Sequence, residues 1–162
     1  MTRSAAKEKN HRTAGPAVLL VDDNADDQLF FQLAWEKDLP NHPLRVVASR
    51  QEAMDYLNGR GHFADRTAFP IPSVIILDMR LPDGSGSELV RWIRGRTQFK
   101  RLTVIVMSGS AHEQDVHQAY ANGANSFLLK SARPADLRQT VQLIQSYWLS
   151  QNLSPGTPLL QV

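Results

Sequence analysis

The sequence predicts an α/β domain with a doubly wound, five-stranded parallel sheet. Three observations lead there. Five short apolar runs alternate strictly with five amphipathic stretches, and strict alternation calls for parallel strands joined by crossover helices on both faces. The runs are nearly continuous in Val, Ile and Leu, as strands covered on both sides are. The length, 162 residues, suits one domain with a real core.

The elements follow in order. The first run, Ala17–Val21, leads into Asp22, Asp23 and Asn24, any of which can cap or turn the chain into a helix from about Asp26 to Lys37. Leu44–Ala48 is the second strand and Arg50–Asn58 the second helix. The connection from Asn58 to Pro72 is long and rich in Gly, Pro and charge, which marks it as functional or mobile. Val74–Leu77 is the third strand, Ser87–Gly95 the third helix, Thr103–Met107 the fourth strand and His112–Asn122 the fourth helix. Ser126–Leu129 closes the sheet. The last helix, Pro134–Leu149, has proline at its start and one stripe of Leu137, Val141, Ile144 and Trp148. Trp35, Trp92 and Trp148 read as packing residues. The expected organisation is a flexible basic tail (1–15), one domain (16–149) and a second flexible tail (150–162).

Composition removes several function classes. There is no cysteine, hence no disulfide framework and no thiolate site. No apolar run approaches the roughly 20 residues that span a bilayer, and the N-terminus has no apolar stretch of a secretory signal. A cytoplasmic protein is expected. Arg3, Lys7, Lys9 and Arg12 against Glu8 give the first fifteen residues +3 and leave the rest −1. Such a sparse basic tail reads as a solvated end, not as a nucleic-acid or lipid footprint. The five histidines lack metal-ligand spacing. Gly84-Ser85-Gly86 follows the third strand rather than the first, so a dinucleotide site is not expected.

The chemistry gathers at strand ends. In a sheet of order 2-1-3-4-5, the first and third strands are neighbours beside the point where the order reverses, and ligands bind at that edge. Asp22 and Asp23 end the first strand, Asp78 the third, Ser108 the fourth and Lys130 the fifth. Three carboxylates in one pocket repel unless a cation neutralises them. Magnesium takes oxygen ligands and leaves positions open for a phosphoryl oxygen. Asp78 stands alone on the central strand and is the candidate nucleophile; the adjacent pair is better placed to hold metal. Ser108 and Lys130 are placed to reach a phosphoryl oxygen, and the Arg80 carbonyl is a candidate further ligand.

The motifs Val-Asp-Asp-Asn (21–24), Leu-Asp-Met-Arg-Leu-Pro-Asp-Gly-Ser-Gly (77–86), Met-Ser-Gly (107–109) and Gly-Ala-Asn-Ser-Phe-Leu-Leu-Lys (123–130) together resemble a response-regulator receiver domain. The resemblance runs from about Ala17 to Leu149. It implies the flavodoxin-like fold, Asp78 as phosphoacceptor, Asp22 and Asp23 as the acidic pair, Ser108 as switch hydroxyl, Phe127 as switch aromatic and Lys130 as phosphate sensor. It also implies Mg²⁺ held by Asp23, Asp78 and the Arg80 carbonyl, with Asp22 acting through water. The loop 61–66 and the ending Ser-Tyr-Trp-Leu (146–149) resemble the single-domain branch associated with phytochromes. One departure stands out: Ser131 follows the lysine where the family usually has proline. Either the Lys130–Ser131 bond is trans, or the fold carries a cis bond that is costly without proline.

The resemblance implies a stand-alone two-component switch, phosphorylated by a sensor histidine kinase (phytochrome-like in the narrower resemblance) or a phosphotransfer protein. Output then runs through protein contacts, with Leu143 and Tyr147 on the last helix as a homodimer or partner face. The kinase is expected near Asn24, Asp27 and Phe31. The alternative is a phosphorylation-independent adaptor with the same fold. An enzyme acting on external substrates is not expected, because the usual acid/base position two residues after the nucleophile holds Arg80.

Overall fold

The computed structural model describes residues 14–153. The two expected tails lie outside the described residues except for 14–15 and 150–153. Five parallel strands form the sheet: β1 (Val18–Val21), β2 (Leu44–Val47), β3 (Val74–Asp78), β4 (Thr103–Ser108) and β5 (Ser126–Leu129), in the order β2-β1-β3-β4-β5. The predicted strands and their order are all found. Between them run α1 (Ala25–Asp38), α2 (Arg50–Asn58), α3 (Gly86–Arg94) and α4 (Glu113–Ala121), and α5 (Pro134–Ile144) follows β5.

Side chains alternate across the strands, so the sheet feeds two cores. Leu19, Val21, Ile75, Leu77, Val104 and Val106 pack with Leu57, Leu89, Ile93 and Ala119 from α2, α3 and α4. Val18, Leu20, Val74, Ile76, Ile105 and Met107 face the other way, onto Phe31 and Trp35 of α1 and Val141 and Ile144 of α5. Burial on both faces explains why β1, β3 and β4 read as continuous apolar runs instead of alternating ones.

Local signals set the helix starts. Asn24 Oδ1 accepts from the backbone N–H groups of Asp26 and Asp27 and opens α1. Ser49 caps α2, and Gly59, in the left-handed region at φ 66°, ends it. Ser85 and Glu88 form a reciprocal capping box at α3.

Two expectations change. The connection 58–72 is pinned in place and is not a free loop. Phe63 is buried against Tyr56 and Phe69, with ring centroids 5.1 and 5.3 Å away. Arg66 donates to the carbonyls of Tyr56 and Leu57 at 2.8 and 2.7 Å, and Arg45 donates to Ala68. An aromatic plug and guanidinium-to-carbonyl bonds replace the regular ladders that this stretch lacks. The last helix also differs from one uninterrupted α-helix, because after Ile144 it widens into a π-helical run, Gln145–Gln151. Its predicted stripe holds: Val141 and Ile144 are buried, and Leu137 and Trp148 pack beside them.

Candidate functional site

Register brings the strand tips together. Val21 is level with Leu77, and Asp78 with Met107, so Asp22 and Asp78 leave adjacent strands at the same edge. Asp22 is buried; its Oδ1 accepts from Asn24 N–H at 2.9 Å. Asp78 is the last residue of β3, and its Oδ1 accepts from Arg80 N–H at 3.1 Å. Each carboxylate thus has one oxygen steered by the turn that follows it.

Lys130 comes directly after β5. Its backbone N–H donates to the Ser108 carbonyl at 2.8 Å and extends the pairing with β4 past the strand end. Its ammonium donates to Asp22 Oδ2 at 2.6 Å, Asp78 Oδ2 at 2.7 Å and Asp27 Oδ2 at 3.0 Å. Every peptide bond among the described residues is trans, so the Lys130–Ser131 bond is trans, and the lysine reaches the phosphoacceptor candidate with it.

Burial pushes the Asp22 carboxyl above its ordinary value, opposed by the hydrogen bonds from Lys130 and Asn24. Burial alone would lower the Lys130 pKa, but hydrogen bonds to Asp22, Asp78 and Asp27 outweigh it and raise the value. The ammonium therefore stays charged at any physiological pH.

Asp22, Asp23 and Asp78 each offer an oxygen, all within 4.8 Å of one another. With Asp27 the pocket holds four carboxylates against one ammonium, a formal charge of −3. Hard oxygen donors in a strongly negative, partly open pocket fit a divalent cation such as Mg²⁺.

The remaining predicted residues fall around this centre. Ser108 ends β4, buried, its Oγ accepting from Ser110 N–H at 3.3 Å. Gly109 leaves open space where a side chain would stand. Phe127 is half-buried against the core under α2, α3 and α4. Arg80 is exposed, in a two-residue antiparallel ribbon, Arg80–Leu81 with Gly84–Ser85.

Two residues gain a role that sequence reasoning missed. Asp27 was expected on the rim as a docking residue; it is also a third partner of Lys130. No local signal marks this contact, because its partner lies 103 residues along the chain. Gly86 was read as the end of the 77–86 motif and as part of an unconvincing phosphate loop, with no role of its own. A Cβ there would run into the Asp78 carbonyl oxygen, and its N–H donates to Met79 O at 2.8 Å. Only glycine lets α3 start this close to the candidate nucleophile's backbone. Phe31, expected to be exposed, is buried and stacked on Trp35 at 5.8 Å. The exposed apolar residues of α1 are Leu29, Phe30 and Leu33. Below the carboxylates, a cavity of about 200 Å³ opens between α1 and the chain after β5, lined by Asp78, Lys130, Phe30, Met107 and Leu137 among others.

Comparison with known proteins agrees with this geometry. The response regulator receiver domain family matches residues 18–142. The chain belongs to that family, the receiver component of two-component signalling systems. Within it, the response regulator Rcp1 of Synechocystis sp. is 33% identical over 139 residues, covering 86% of this chain and 92% of Rcp1. A probable methanogenesis regulatory protein, FilR2 of Methanothrix harundinacea, is 32% identical over 86% of this chain and 87% of its own. The crystal structure of the phosphorylated cyanobacterial phytochrome response regulator RcpA matches with a TM-score of 0.80 at 33% identity, covering 88% of this chain and 99% of RcpA. A response regulator in red light signaling of R. palustris matches with a TM-score of 0.81 at 30% identity, over 88% and 99%. A Mn²⁺-bound form of Rcp1 matches with a TM-score of 0.77 at 31% identity, over 86% and 99%. The chain is thus related to phytochrome response regulators.

Proposed function

We propose that this chain is a phosphorylated switch, working as a stand-alone regulator in the cytoplasm, whose receiver unit is 16–149. Asp78 accepts a phosphoryl group from a sensor histidine kinase, phytochrome-like by kinship with RcpA and Rcp1, or from a phosphotransfer protein. The observation that carries this reading is the Lys130 ammonium, 2.7 Å from Asp78 Oδ2 beside three clustered carboxylates. One ammonium leaves those carboxylates net negative, and like charges held this close favour a bound cation or a functional role.

Mg²⁺ would be held by Asp23, Asp78 and the Arg80 carbonyl, with Asp22 acting through water, and when bound it offsets the charge of the carboxylates and the incoming phosphate. An Asp78 oxygen attacks the donor phosphorus; the bond to the donor nitrogen breaks, and its electron pair leaves with the imidazole. Lys130 and Ser108 then hydrogen-bond the new phosphoryl oxygens. Drawing Ser108 inward frees space that Phe127 can enter, and the face of α4, β5 and α5 changes. Self-hydrolysis of the acyl phosphate returns the switch; no external substrate is turned over.

Two exposed faces suit partners. Leu29, Phe30 and Leu33 are exposed on α1, with Phe30 lining the cavity beside the carboxylates, and they suit the kinase. Tyr120, Leu129, Leu143 and Tyr147 are large exposed apolar residues on α4, β5, α5 and the π-helical run, and they suit a homodimer or an output partner. No helix among the described residues is long and apolar enough to cross a membrane.

Incubation with acetyl phosphate or a cognate kinase plus Mg²⁺ should add one phosphoryl group by mass, and Asp78→Asn should abolish it. Absence of the adduct with both donors would overturn the proposal. If Asp78→Asn also left partner binding unchanged, the adaptor reading would take its place.

A further inference from the structure

We propose that Ser131 is a positioning residue for Lys130: its hydroxyl, locked to Asp136 in the first turn of α5, holds the chain so that the ammonium points into the carboxylate pocket. The inference rests on the phosphoacceptor reading above.

Lysine has four rotatable side-chain bonds, so an ammonium within 2.6–2.7 Å of two carboxylates needs a fixed backbone. On one side the backbone is fixed by the Lys130 N–H to Ser108 O bond. On the other side stands serine, which does not restrict its own φ as proline would. Hydrogen bonds supply the restraint. Ser131 Oγ donates to Asp136 Oδ2 at 2.7 Å and accepts from Arg133 N–H at 3.2 Å. Arg133 Nε donates to the same Asp136 oxygen at 2.8 Å.

Asp136 is well placed as the anchor. It lies in the first turn of α5, where free N–H groups and the helix dipole favour a carboxylate. Arg133 is the N-cap residue and makes no side-chain cap. The hydrogen bond from Ser131 and then the Arg133 guanidinium hold the Asp136 carboxyl below its ordinary value, so the acceptor remains an anion. The ring Ser131–Arg133–Asp136 thus ties the turn after Lys130 to a rigid helix.

Two titrations separate aim from folding. Mg²⁺ alone reads the carboxylates, whereas trifluoroberyllate with Mg²⁺ adds the contact to Lys130. Ser131→Ala should weaken trifluoroberyllate binding about tenfold, the loss of one charge-assisted hydrogen bond, and should not weaken binding of Mg²⁺ alone, because an ammonium held less firmly competes less for the Asp22 and Asp78 carboxylates. Ser131→Thr should restore trifluoroberyllate binding. Asp136→Ala, which removes the anchor and keeps the serine, should give the same split even if Ser131→Ala folds poorly. In a Lys130→Met background, Ser131→Ala should have no further effect. Equal trifluoroberyllate affinity in Ser131→Ala and the unaltered chain would remove the role of Ser131 and leave the phosphoacceptor reading standing. The same loss in the Lys130→Met background would reduce Ser131 to a structural residue. A chain that takes no trifluoroberyllate at all would fail the phosphoacceptor reading, and this inference with it.

Discussion

Lys130 neutralises only one of the four charges around it, and the distribution of the rest decides how tightly the pocket holds a cation. Asp22 and Asp78 are nearly covered, and Asp27 is 44% exposed at its side chain. Asp27 therefore adds negative charge at little burial cost. Asp27→Asn should weaken Mg²⁺ binding roughly three- to tenfold, the scale of one carboxylate acting on a divalent ion through a screened, half-exposed path. Calorimetric titration of the purified protein checks this; unchanged affinity would mean that Asp27 serves only to hold Lys130. This residue also shows where sequence reasoning stops. Periodicity places Asp27 on α1, but its contact with Lys130 spans 103 residues of chain.

At the scale of elements, α1 and α5 pack on the same face of the sheet, and one ion pair joins their outer edges. Arg138 of α5 donates to both oxygens of Asp38 at the end of α1, with Nε 2.9 Å from Oδ2 and Nη2 2.9 Å from Oδ1. A carboxylate at a helix C-terminus is unfavourable to the dipole, and the bidentate guanidinium offsets it. The Arg138 hydrogen bond, against a smaller effect of burial, holds the Asp38 carboxyl below its ordinary value of 3.8. The folded state therefore binds this proton less readily than the unfolded chain. The stabilisation is fully present above pH 3.8 and is lost as pH falls through the lower folded value. Asp38→Asn should lower the midpoint of urea unfolding near neutral pH, and the gap from the unaltered protein should close in acid below that value. A gap constant with pH would show that the pair contributes shape and not charge. Two helix starts were legible because their signals are local, Asn24 ahead of α1 and Pro134 opening α5; the Ser49 and Ser85 caps of α2 and α3 came to light only in the structure. The packed connection between α2 and β3 was not legible, because Arg66 and Phe63 act on partners brought to them by the fold.

For the whole molecule, β3 is the spine. It lies between β1 and β4 and carries the phosphoacceptor candidate at its tip. Ile76 is fully buried under α1 and α5. Ile76→Ala should cost about 2–5 kcal/mol of stability, by lost transfer energy plus the cavity left behind, read from equilibrium urea denaturation. A loss well below that range would mean that the two helices collapse into the gap. Receivers at 30–33% identity over most of the chain share this fold, with TM-scores of 0.80 and 0.81.

The sequence alone determined the order and type of the elements, the sheet topology and the candidate residues Asp22, Asp23, Asp78, Ser108 and Lys130. Periodicity and composition are local, and a doubly wound sheet sends every strand end to one edge. Tertiary structure decided which side of α1 is covered, because Leu29, Phe30, Phe31, Leu33 and Trp35 surround that helix with apolar residues and leave no single apolar face to read. It also decided that Asp27 joins the ammonium and that Ser131 closes onto Asp136. Those contacts are set by distances of a few tenths of an ångström, which only the packed chain fixes.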